Sequence, residues 1–196
     1  MDHFYLTNLI LWMFIASWIV SALWVNRTAE RFSWRGHLPL YLAGAVFVIG
    51  LSVAAWAYPA LWARLWPARP GFDTAMLMLQ LAGIAWCWWA RVYMGRLWSG
   101  GVVIKEGHRV VDSGPYAVVR HPIYSGAFLL VGAHVLVKAR AVDLIFYAGL
   151  VAFFAAKARL EERFLLQELG DDYAAYRARV PMLMPRWRVL AAAFGR

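Results

Sequence analysis

The chain has 196 residues, about the length of one domain, and 63% of them are hydrophobic while only 16% are charged. Soluble domains are roughly 45 to 50% apolar, so this composition excludes an ordinary cytosolic enzyme, and a disordered chain would be far richer in charge. The net charge of +9 comes from 20 basic residues placed between apolar runs. That distribution is typical of a membrane protein and does not indicate a nucleic-acid-binding face.

Cysteine and histidine give no indication of a disulfide or a metal site. Cys87 is the single cysteine, so an internal disulfide is excluded. The five histidines do not combine with it at the spacing of metal ligands. We therefore expect no metal.

The first half of the chain contains three apolar runs that predict membrane-spanning helices. A helix needs about 20 apolar residues to cross the roughly 30 Å hydrocarbon core. The runs lie at residues 4–25, 38–63 and 74–90. Pro59 is expected to end the second helix, because proline disrupts a helix interior.

Two shorter apolar runs follow, at residues 122–137 and 144–156. The six residues between them predict an antiparallel helical hairpin. Neither run crosses the hydrocarbon comfortably, so we expect the second helix to continue through Lys157 and Arg159. The predicted fold is therefore an all-α integral membrane protein with about five transmembrane helices, the last two forming a hairpin.

The basic residues predict the orientation of these helices. The stretch 91–120 carries five basic residues and the chain from Lys157 onward carries eight, and further arginines follow the first span. The opposite side has four: Arg64, Arg69, Lys138 and Arg140. By the positive-inside rule, the N-terminus lies outside and the C-terminus lies in the cytoplasm, as expected for a multi-pass protein of the inner membrane.

Reactive side chains concentrate after residue 91, which predicts a helical part at 1–94 and a functional core at 95–196. The longest polar stretch is GGVVIKEGHRVVDSGPYAVVRHPIYSG, residues 100–126. Pro122 favours the first turn of a helix, whose unpaired N–H groups would lie beside His121 and Tyr124 and suit an anion. The alternative is that Arg120 and His121 are interfacial anchors and that Tyr124 belongs to an aromatic belt.

The last helix carries a second polar group. Lys157 and Glu161 are four residues apart and share one helical face, with Glu162 adjacent. Carboxylates beside a bilayer are costly and usually have partners, although these could instead lie on a solvated face. His134, in the middle of an apolar run, is expected to be an interhelical hydrogen-bonding residue.

Several motifs in fixed order resemble the isoprenylcysteine carboxyl methyltransferase family. They are Gly107-His108, Ser113-Gly114-Pro115-Tyr116, RHPIYSG at 120–126, Glu161-Glu162 and LGDDYAAYRARVPMLMP at 169–185. The resemblance covers roughly residues 95–186. Members are integral-membrane enzymes that use S-adenosyl-L-methionine, so the resemblance implies a methyltransferase with a cytoplasmic cofactor pocket in the C-terminal half.

The resemblance also implies the residues of the site. The cofactor would contact His108, Arg109, Val110, Val111, Tyr116, His121, Pro122, Ile123, Tyr124 and Glu161. The catalytic residues would be Lys157, Glu162 and Arg120. The acceptor would be a lipidic or small apolar molecule that enters from the bilayer and is methylated on oxygen, nitrogen or sulfur.

The chain departs from the family pattern at two positions, and two alternative functions remain open. Eukaryotic relatives have an arginine at the position of Lys157 and a polar amide side chain near Gly101, which puts a prenylcysteine substrate in doubt because lysine lacks the bidentate fork of arginine. One alternative is an NADPH-dependent membrane reductase of the sterol-reductase type. The other is a non-enzymatic helical membrane component.

Overall fold

A computed structural model of the chain describes residues 3–21, 23, 28–31, 38–95, 103–105 and 110–185. The described part is almost entirely helical, with one short pair of strands. In chain order the elements are α1 (His3–Ser21), β1 (Thr28–Arg31), α2 (Leu38–Ala57), a 3₁₀ helix (Pro59–Trp62), α3 (Pro70–Met94), β2 (Val103–Lys105), α4 (Pro115–Val118), α5 (Pro122–Lys138) and α6 (Ala141–Arg179).

The prediction of an all-helical membrane protein is confirmed. The helices α1, α2, α3 and α6 are long and apolar enough to cross a membrane, and α5 is a shorter apolar helix of 17 residues. At 1.5 Å per residue α5 is about 25 Å long, somewhat less than the hydrocarbon thickness. The two short strands were not expected from the sequence.

Proline and glycine set several helix ends. The expected stop at Pro59 is confirmed, because α2 ends at Ala57 and the 3₁₀ helix follows. Helix α3 begins at Pro70 and ends at Met94, and the following Gly95 has a φ of 57°, which glycine adopts without strain. In the first turn of α3, a carboxylate oxygen of Asp73 accepts the backbone N–H of Arg69 at 3.2 Å.

The six-residue connection expected between the last two helices is wrong, since only Ala139 and Arg140 separate α5 from α6. Ala139 adopts a left-handed conformation with φ 56°, and its N–H bonds to Val135 O at 2.8 Å. Lys138 and Asp143 are absorbed into the helices because a cation is favourable in a last turn and an anion in a first turn.

The connections alternate between two ends of the helix bundle. At one end β1 pairs with β2 in antiparallel fashion, which joins the connection after α1 to the connection after α3. At the other end Arg64 and Arg140 form an isolated antiparallel bridge, and Leu65 N–H bonds to Ala139 O at 2.6 Å. We call the first the site end and the second the hairpin end.

Helices α3 and α5 pack backbone against backbone at two glycines. A Cβ atom on Gly83 would lie 2.7 Å from the backbone nitrogen of Leu130 and 2.9 Å from the carbonyl of Gly126. A Cβ atom on Gly126 would lie 2.6 Å from the sulfur of Cys87, which is fully buried. Small residues allow such close contact between membrane helices.

Polar side chains attach α1 to this pair near the hairpin end. The Thr7 hydroxyl donates to Gln80 Oε1 at 2.8 Å and lies 3.1 Å from His134 Nδ1. All three residues are buried. His134 is thus an interhelical hydrogen-bonding residue, as the sequence predicted.

Helix α6 packs against α2 and continues into the C-terminal part of the fold. Gly44 of α2 faces the ring of Phe153 on α6. Farther along, Gly170 interrupts α6 with φ 52° and ψ −129°, and the helix resumes in a new direction. Beyond the kink, Tyr173, Tyr176 and Val180 form a buried cluster with partly buried neighbours at Val110, Leu165, Leu166 and Leu169.

The close contact of α3 and α5 predicts a cost for any side chain at Gly83. Gly83→Ala should lower the free energy of unfolding by roughly 1 to 3 kcal/mol, because the added methyl group must move backbone atoms. Gly50→Ala on α2 is the control, since nothing lies within 4 Å of its Cβ position. Thermal unfolding midpoints in detergent test this, and equal midpoints for the two variants would contradict it.

Candidate active site

The start of α5 brings the RHPIY motif to the site end of the bundle. His121 precedes a proline and has the non-helical backbone angles φ −120° and ψ 65°. Pro122 begins the helix. The first N–H groups of α5 therefore have no partner within the helix. Their positive dipole end lies beside the side chains of His121 and Tyr124.

Tyr124 links α5 to a charged pair on α6. Its hydroxyl donates to Glu161 Oε1 at 2.7 Å and accepts from Lys157 Nζ at 2.9 Å. Lys157 and Glu161 are also paired directly at 3.2 Å. Next to this group, the Tyr124 ring packs against Phe154 with a centroid separation of 4.8 Å, so one side of the cluster is apolar.

His121 lies between the two adjacent carboxylates of α6. Its Nε2 atom is 3.2 Å from Glu162 Oε1, and its Nδ1 atom is 3.6 Å from Glu161 Oε2. The imidazole ring stacks parallel to the ring of Tyr124, with centroids 5.4 Å apart. These contacts fix the orientation of the ring.

Arg120 forms a bidentate pair with Glu162. Its Nε and Nη2 atoms donate to the two carboxylate oxygens at 2.7 and 3.0 Å, and the pair is almost fully buried. The remaining nitrogen, Nη1, donates to the carbonyls of Arg177, at 3.0 Å, and Val180. Arg177 Nε also lies 3.6 Å from Glu162, so this carboxylate is surrounded by cations.

The chain after Gly170 folds back over the start of α5. The backbone N–H groups of Arg120 and His121 donate to the carbonyls of Pro181 and Met182, at 2.9 and 3.0 Å. The Tyr176 hydroxyl donates to Tyr116 O at 2.8 Å. This C-terminal segment thereby holds α4 and the RHPIY motif in place.

Tyr116 is buried and serves as packing within the cluster. Its hydroxyl donates to the carbonyl of Ala90 at 3.4 Å. Burial raises the pKa of the Tyr116 phenol, and the nearby Arg91 opposes this only in part. The side chain therefore stays neutral at physiological pH.

Tyr93 holds the turn that leads into α4. Its hydroxyl donates to Ser113 Oγ at 2.8 Å. The neighbouring Gly114 has φ 57°, and a Cβ atom there would lie 2.5 Å from the Tyr93 ring. Only glycine satisfies both conditions.

Six of the predicted site residues come together in one cluster: Arg120, His121, Tyr124, Lys157, Glu161 and Glu162. Tyr116 and Pro122 lie buried beneath it, and Val110 packs in the C-terminal core. Val111 is partly buried, and the carbonyl of Ile123 lies 3.5 Å from the sulfur of Cys87. His108 and Arg109 lie outside the described residues.

The sequence did not identify Arg177 or Phe154 as site residues, although Arg177 lies within the motif at 169–185. Arg177 reaches Glu162 only because the chain reverses at Gly170, and nothing in the local spacing predicts that contact. Phe154 could have been found as the residue one turn before Lys157 and Ala158 on the same helix. The role of each residue in chemistry stays a prediction.

A family model supports the resemblance that the motifs indicated. Residues 76–167 match the isoprenylcysteine carboxyl methyltransferase (ICMT) family. The match starts within α3, so the division of the chain at 94/95 stays a prediction. It also stops before the motif at 169–185, although that segment is part of the cluster.

Relatives with several different names are similar to this chain. The protein-S-isoprenylcysteine O-methyltransferase of Schizosaccharomyces pombe is 36% identical over 49% of this chain and 42% of the relative. The methanethiol S-methyltransferase of Mycobacterium tuberculosis is 32% identical over 64% of this chain and 48% of the relative. The cobalt-zinc-cadmium resistance protein CzcN of Cupriavidus metallidurans is 24% identical over 83% of this chain and 69% of the relative.

The matched part covers less than half of each of the two named methyltransferases. The family match and these names support a membrane methyltransferase. The alternatives, a membrane reductase and a non-enzymatic component, gain no support from them.

The buried Arg120–Glu162 pair predicts a large effect on stability. Glu162→Gln should lower the free energy of unfolding by about 3 to 5 kcal/mol, because it leaves the Arg120 charge buried without its carboxylate. Asp143→Asn is the control, as it removes the carboxylate of the more exposed Arg140–Asp143 pair at the hairpin end. Denaturant titration of both variants provides the comparison, and a larger loss in Asp143→Asn would refute the prediction.

Proposed function

We propose that the chain is an S-adenosyl-L-methionine-dependent methyltransferase that acts at the membrane on a lipidic or small apolar acceptor. One observation carries the proposal: a buried charged cluster connects the N-terminus of α5 to Lys157, Glu161 and Glu162 of α6, at the boundary between the polar segment and apolar helices. The family match of residues 76–167 supports the same reaction class.

The residues present fit the chemistry of such a cofactor. A helix N-terminus at Pro122 suits a carboxylate group, and the carboxylate of Glu161 suits an amino group or ribose hydroxyls. Glu161 has about four acceptor positions, of which Tyr124 and Lys157 use two at Oε1. Val110, Val111, Ile123 and Tyr116, with His108 and Arg109, would supply the remaining contacts.

When bound, the cofactor would supply an electrophilic methyl group on a sulfonium for transfer to the acceptor. The protein has to position the acceptor and exclude water. Lys157 lies one turn nearer the apolar part of α6 than Glu161, so we propose that it contacts the acceptor. Arg120 and Glu162 were predicted to be catalytic; their bidentate pairing favours a positioning role, in which they fix His121 and the C-terminal segment.

The acceptor would enter from the bilayer beside Phe154, whose ring packs against Tyr124, and Phe128, whose ring lies next to that of Phe154. The cofactor would enter from the cytoplasm. This requires the site end to face the cytoplasm and the N-terminus to lie outside the inner membrane, as the distribution of basic residues predicts.

This orientation can be tested with reporter fusions. Fusions at residues 30, 68, 105, 140 and 190 should report inside, outside, inside, outside and inside, in that order, because the connections alternate between the two ends. An outside signal at residue 105 would contradict both the orientation and a cytoplasmic cofactor.

The two adjacent carboxylates should differ in cofactor binding. Glu161→Gln should weaken binding of S-adenosylhomocysteine roughly ten- to a hundred-fold, the loss of one charge-assisted hydrogen bond. Glu162→Gln should weaken it less, because Arg120, His121 and Arg177 already surround that carboxylate. Calorimetric titration measures both, and equal effects would show that Glu161 has no special place in the cofactor site.

The function itself is tested by label transfer. The purified protein is incubated with radiolabelled S-adenosyl-L-methionine and a total membrane lipid extract, and the extract is then separated. A labelled apolar species is expected. Absence of both label transfer and S-adenosylhomocysteine binding would overturn the proposed function.

A further inference from the structure

Several of the residues proposed to contact the cofactor are nearly inaccessible in this structure. The side chains of His121 and Glu161 are 10% and 15% exposed. Tyr116 is 4% exposed and Pro122 is buried. A ligand as large as S-adenosyl-L-methionine therefore reaches Glu161 only after a neighbouring part of the fold has moved.

The long helices around the site are tightly fixed to one another. Helix α5 contacts α3 backbone to backbone at Gly83 and Gly126. Helices α2 and α6 interlock, because the ring of Phe47 lies where a Cβ atom of Gly149 would be. Packing of this density resists small displacements. An opening produced by movement of these helices would break contacts along the whole bundle.

The C-terminal segment, residues 171–182, is joined to α6 in a different way. Gly170 connects them with φ 52° and ψ −129°, whereas the residues on both sides of it are helical. No described residue outside its own helix lies within 4 Å of the Cβ position of Gly170. Helical angles at this one residue would therefore extend α6 in a straight line and carry the C-terminal segment away from α5.

The C-terminal segment touches three of the residues proposed to contact the cofactor. Its Tyr176 hydroxyl donates to the carbonyl of Tyr116 at 2.8 Å. Its Met182 carbonyl accepts the backbone N–H of His121 at 3.0 Å. Val110 packs against its buried apolar cluster. Displacement of this one segment would therefore uncover all three residues.

Ion pairs hold the C-terminal segment at the protein surface. Arg179 pairs with Asp112 at 3.2 Å, and both side chains are exposed. Arg177, which lies 3.6 Å from Glu162, is exposed as well. Exposed ion pairs contribute little to stability because water replaces them readily. These contacts therefore permit the segment to leave and return.

Apolar packing keeps the position seen in this structure the favoured one. Tyr173 and Tyr176 are each 3% exposed, and Val180 is buried beside them. Displacement of the C-terminal segment exposes these side chains to water, which is unfavourable. A closed form that predominates and an open form that is less populated are the expected result.

We propose that the C-terminal segment is a lid on the cofactor site and that it opens when Gly170 changes to helical backbone angles. The inference rests on the proposed function and adds the route by which the cofactor enters and leaves. The acceptor approaches on the apolar side, beside Phe154, so the cofactor exchanges without disturbing that approach. The closed lid excludes water during methyl transfer.

A substitution at the hinge tests this mechanism. Gly170→Ala favours the open form, because alanine rarely adopts a positive φ and is a strong helix former. The dissociation rate of radiolabelled S-adenosylhomocysteine should rise roughly five- to a hundred-fold, the factor that corresponds to one strained residue. Gly50→Ala is the matched control, since its Cβ position in α2 is open, and its dissociation rate should not change.

A reversible bridge tests the movement directly. Asp112→Cys and Arg179→Cys are combined and joined with a bis-methanethiosulfonate reagent long enough to replace the two side chains. Cys87 is fully buried and stays unmodified. A bridge formed before S-adenosylhomocysteine is added should block its binding, and a bridge formed afterwards should prevent its release. Dithiothreitol should reverse both effects.

The control for the bridge carries Arg159→Cys and Arg163→Cys. Both residues are exposed, and they lie one turn apart on the same helix before the hinge. The same reagent joins them without connecting the C-terminal segment to any other part of the fold. Binding and release of S-adenosylhomocysteine should therefore be unchanged in this variant.

Amide hydrogen exchange follows the lid without any turnover. The backbone N–H groups of Arg120 and His121 donate to carbonyls of the C-terminal segment, so they exchange when the lid opens. Exchange in peptides that contain these two residues should be slower with S-adenosylhomocysteine bound. It should be faster in Gly170→Ala than in Gly50→Ala.

The outcomes separate this inference from the proposed function. If S-adenosylhomocysteine does not bind the unaltered protein, the proposed function fails and the lid fails with it. If it binds but the Asp112–Arg179 bridge alters neither entry nor release, the lid is overturned and the methyltransferase stands. Should Gly170→Ala not fold, Arg179→Ala replaces it. Loss of that exposed ion pair should speed dissociation by up to about five-fold, and an unchanged rate counts against the lid.

Discussion

Two adjacent carboxylates near the membrane boundary constrain most of this structure. Glu161 and Glu162 follow a long apolar stretch of α6, where an unpaired charge would be costly. Being consecutive on a helix, the two side chains point in directions about 100° apart, so each needs partners of its own. Glu161 takes Lys157 and Tyr124, Glu162 takes Arg120, and His121 lies between them. The start of α5 is thereby fixed against α6 by charge pairing, whereas α5 is fixed against α3 by glycines.

The C-terminal segment completes the same arrangement from the other side. Four of the five N–H groups of Arg120 donate to Glu162 and to the carbonyls of Arg177 and Val180. Those carbonyls are within reach because Gly170 turns the chain back, with backbone angles that other residues rarely adopt. A glycine distant from the charged cluster therefore contributes to its geometry. The buried Tyr173 and Tyr176 stabilise the return by packing against Val110.

The sequence predicted the helices and most of the cluster, but not the contacts between distant segments. Apolar run length gives the spans, Pro59 and Pro122 give two boundaries, and the i,i+4 spacing of Lys157 and Glu161 gives a shared face. The predicted six-residue connection between the last two helices is wrong because it assigned Lys138 and Asp143 to a loop. Charged residues of these signs are favourable in the last and first turns of helices. Arg177 was missed because its contact with Glu162 depends on a reversal at Gly170 that no local periodicity encodes. The strand pairing of β1 with β2 is likewise a long-range contact.

In the proposed function, the cofactor and the acceptor are bound by different parts of the site, which is consistent with relatives that are named for different acceptors. In the proposed function, the cofactor side would use a helix N-terminus that depends on Pro122 and the carboxylate of Glu161. The proposed acceptor side would use Lys157, whose ammonium donates to Tyr124. Arginine at that position would grip a carboxylate with two parallel hydrogen bonds, while the lysine found here is a point charge bound to a phenol and a carboxylate. If Lys157 contacts the acceptor as proposed, a single change on α6 would alter the acceptor that fits, while the Arg120–Glu162 pairing stays in place.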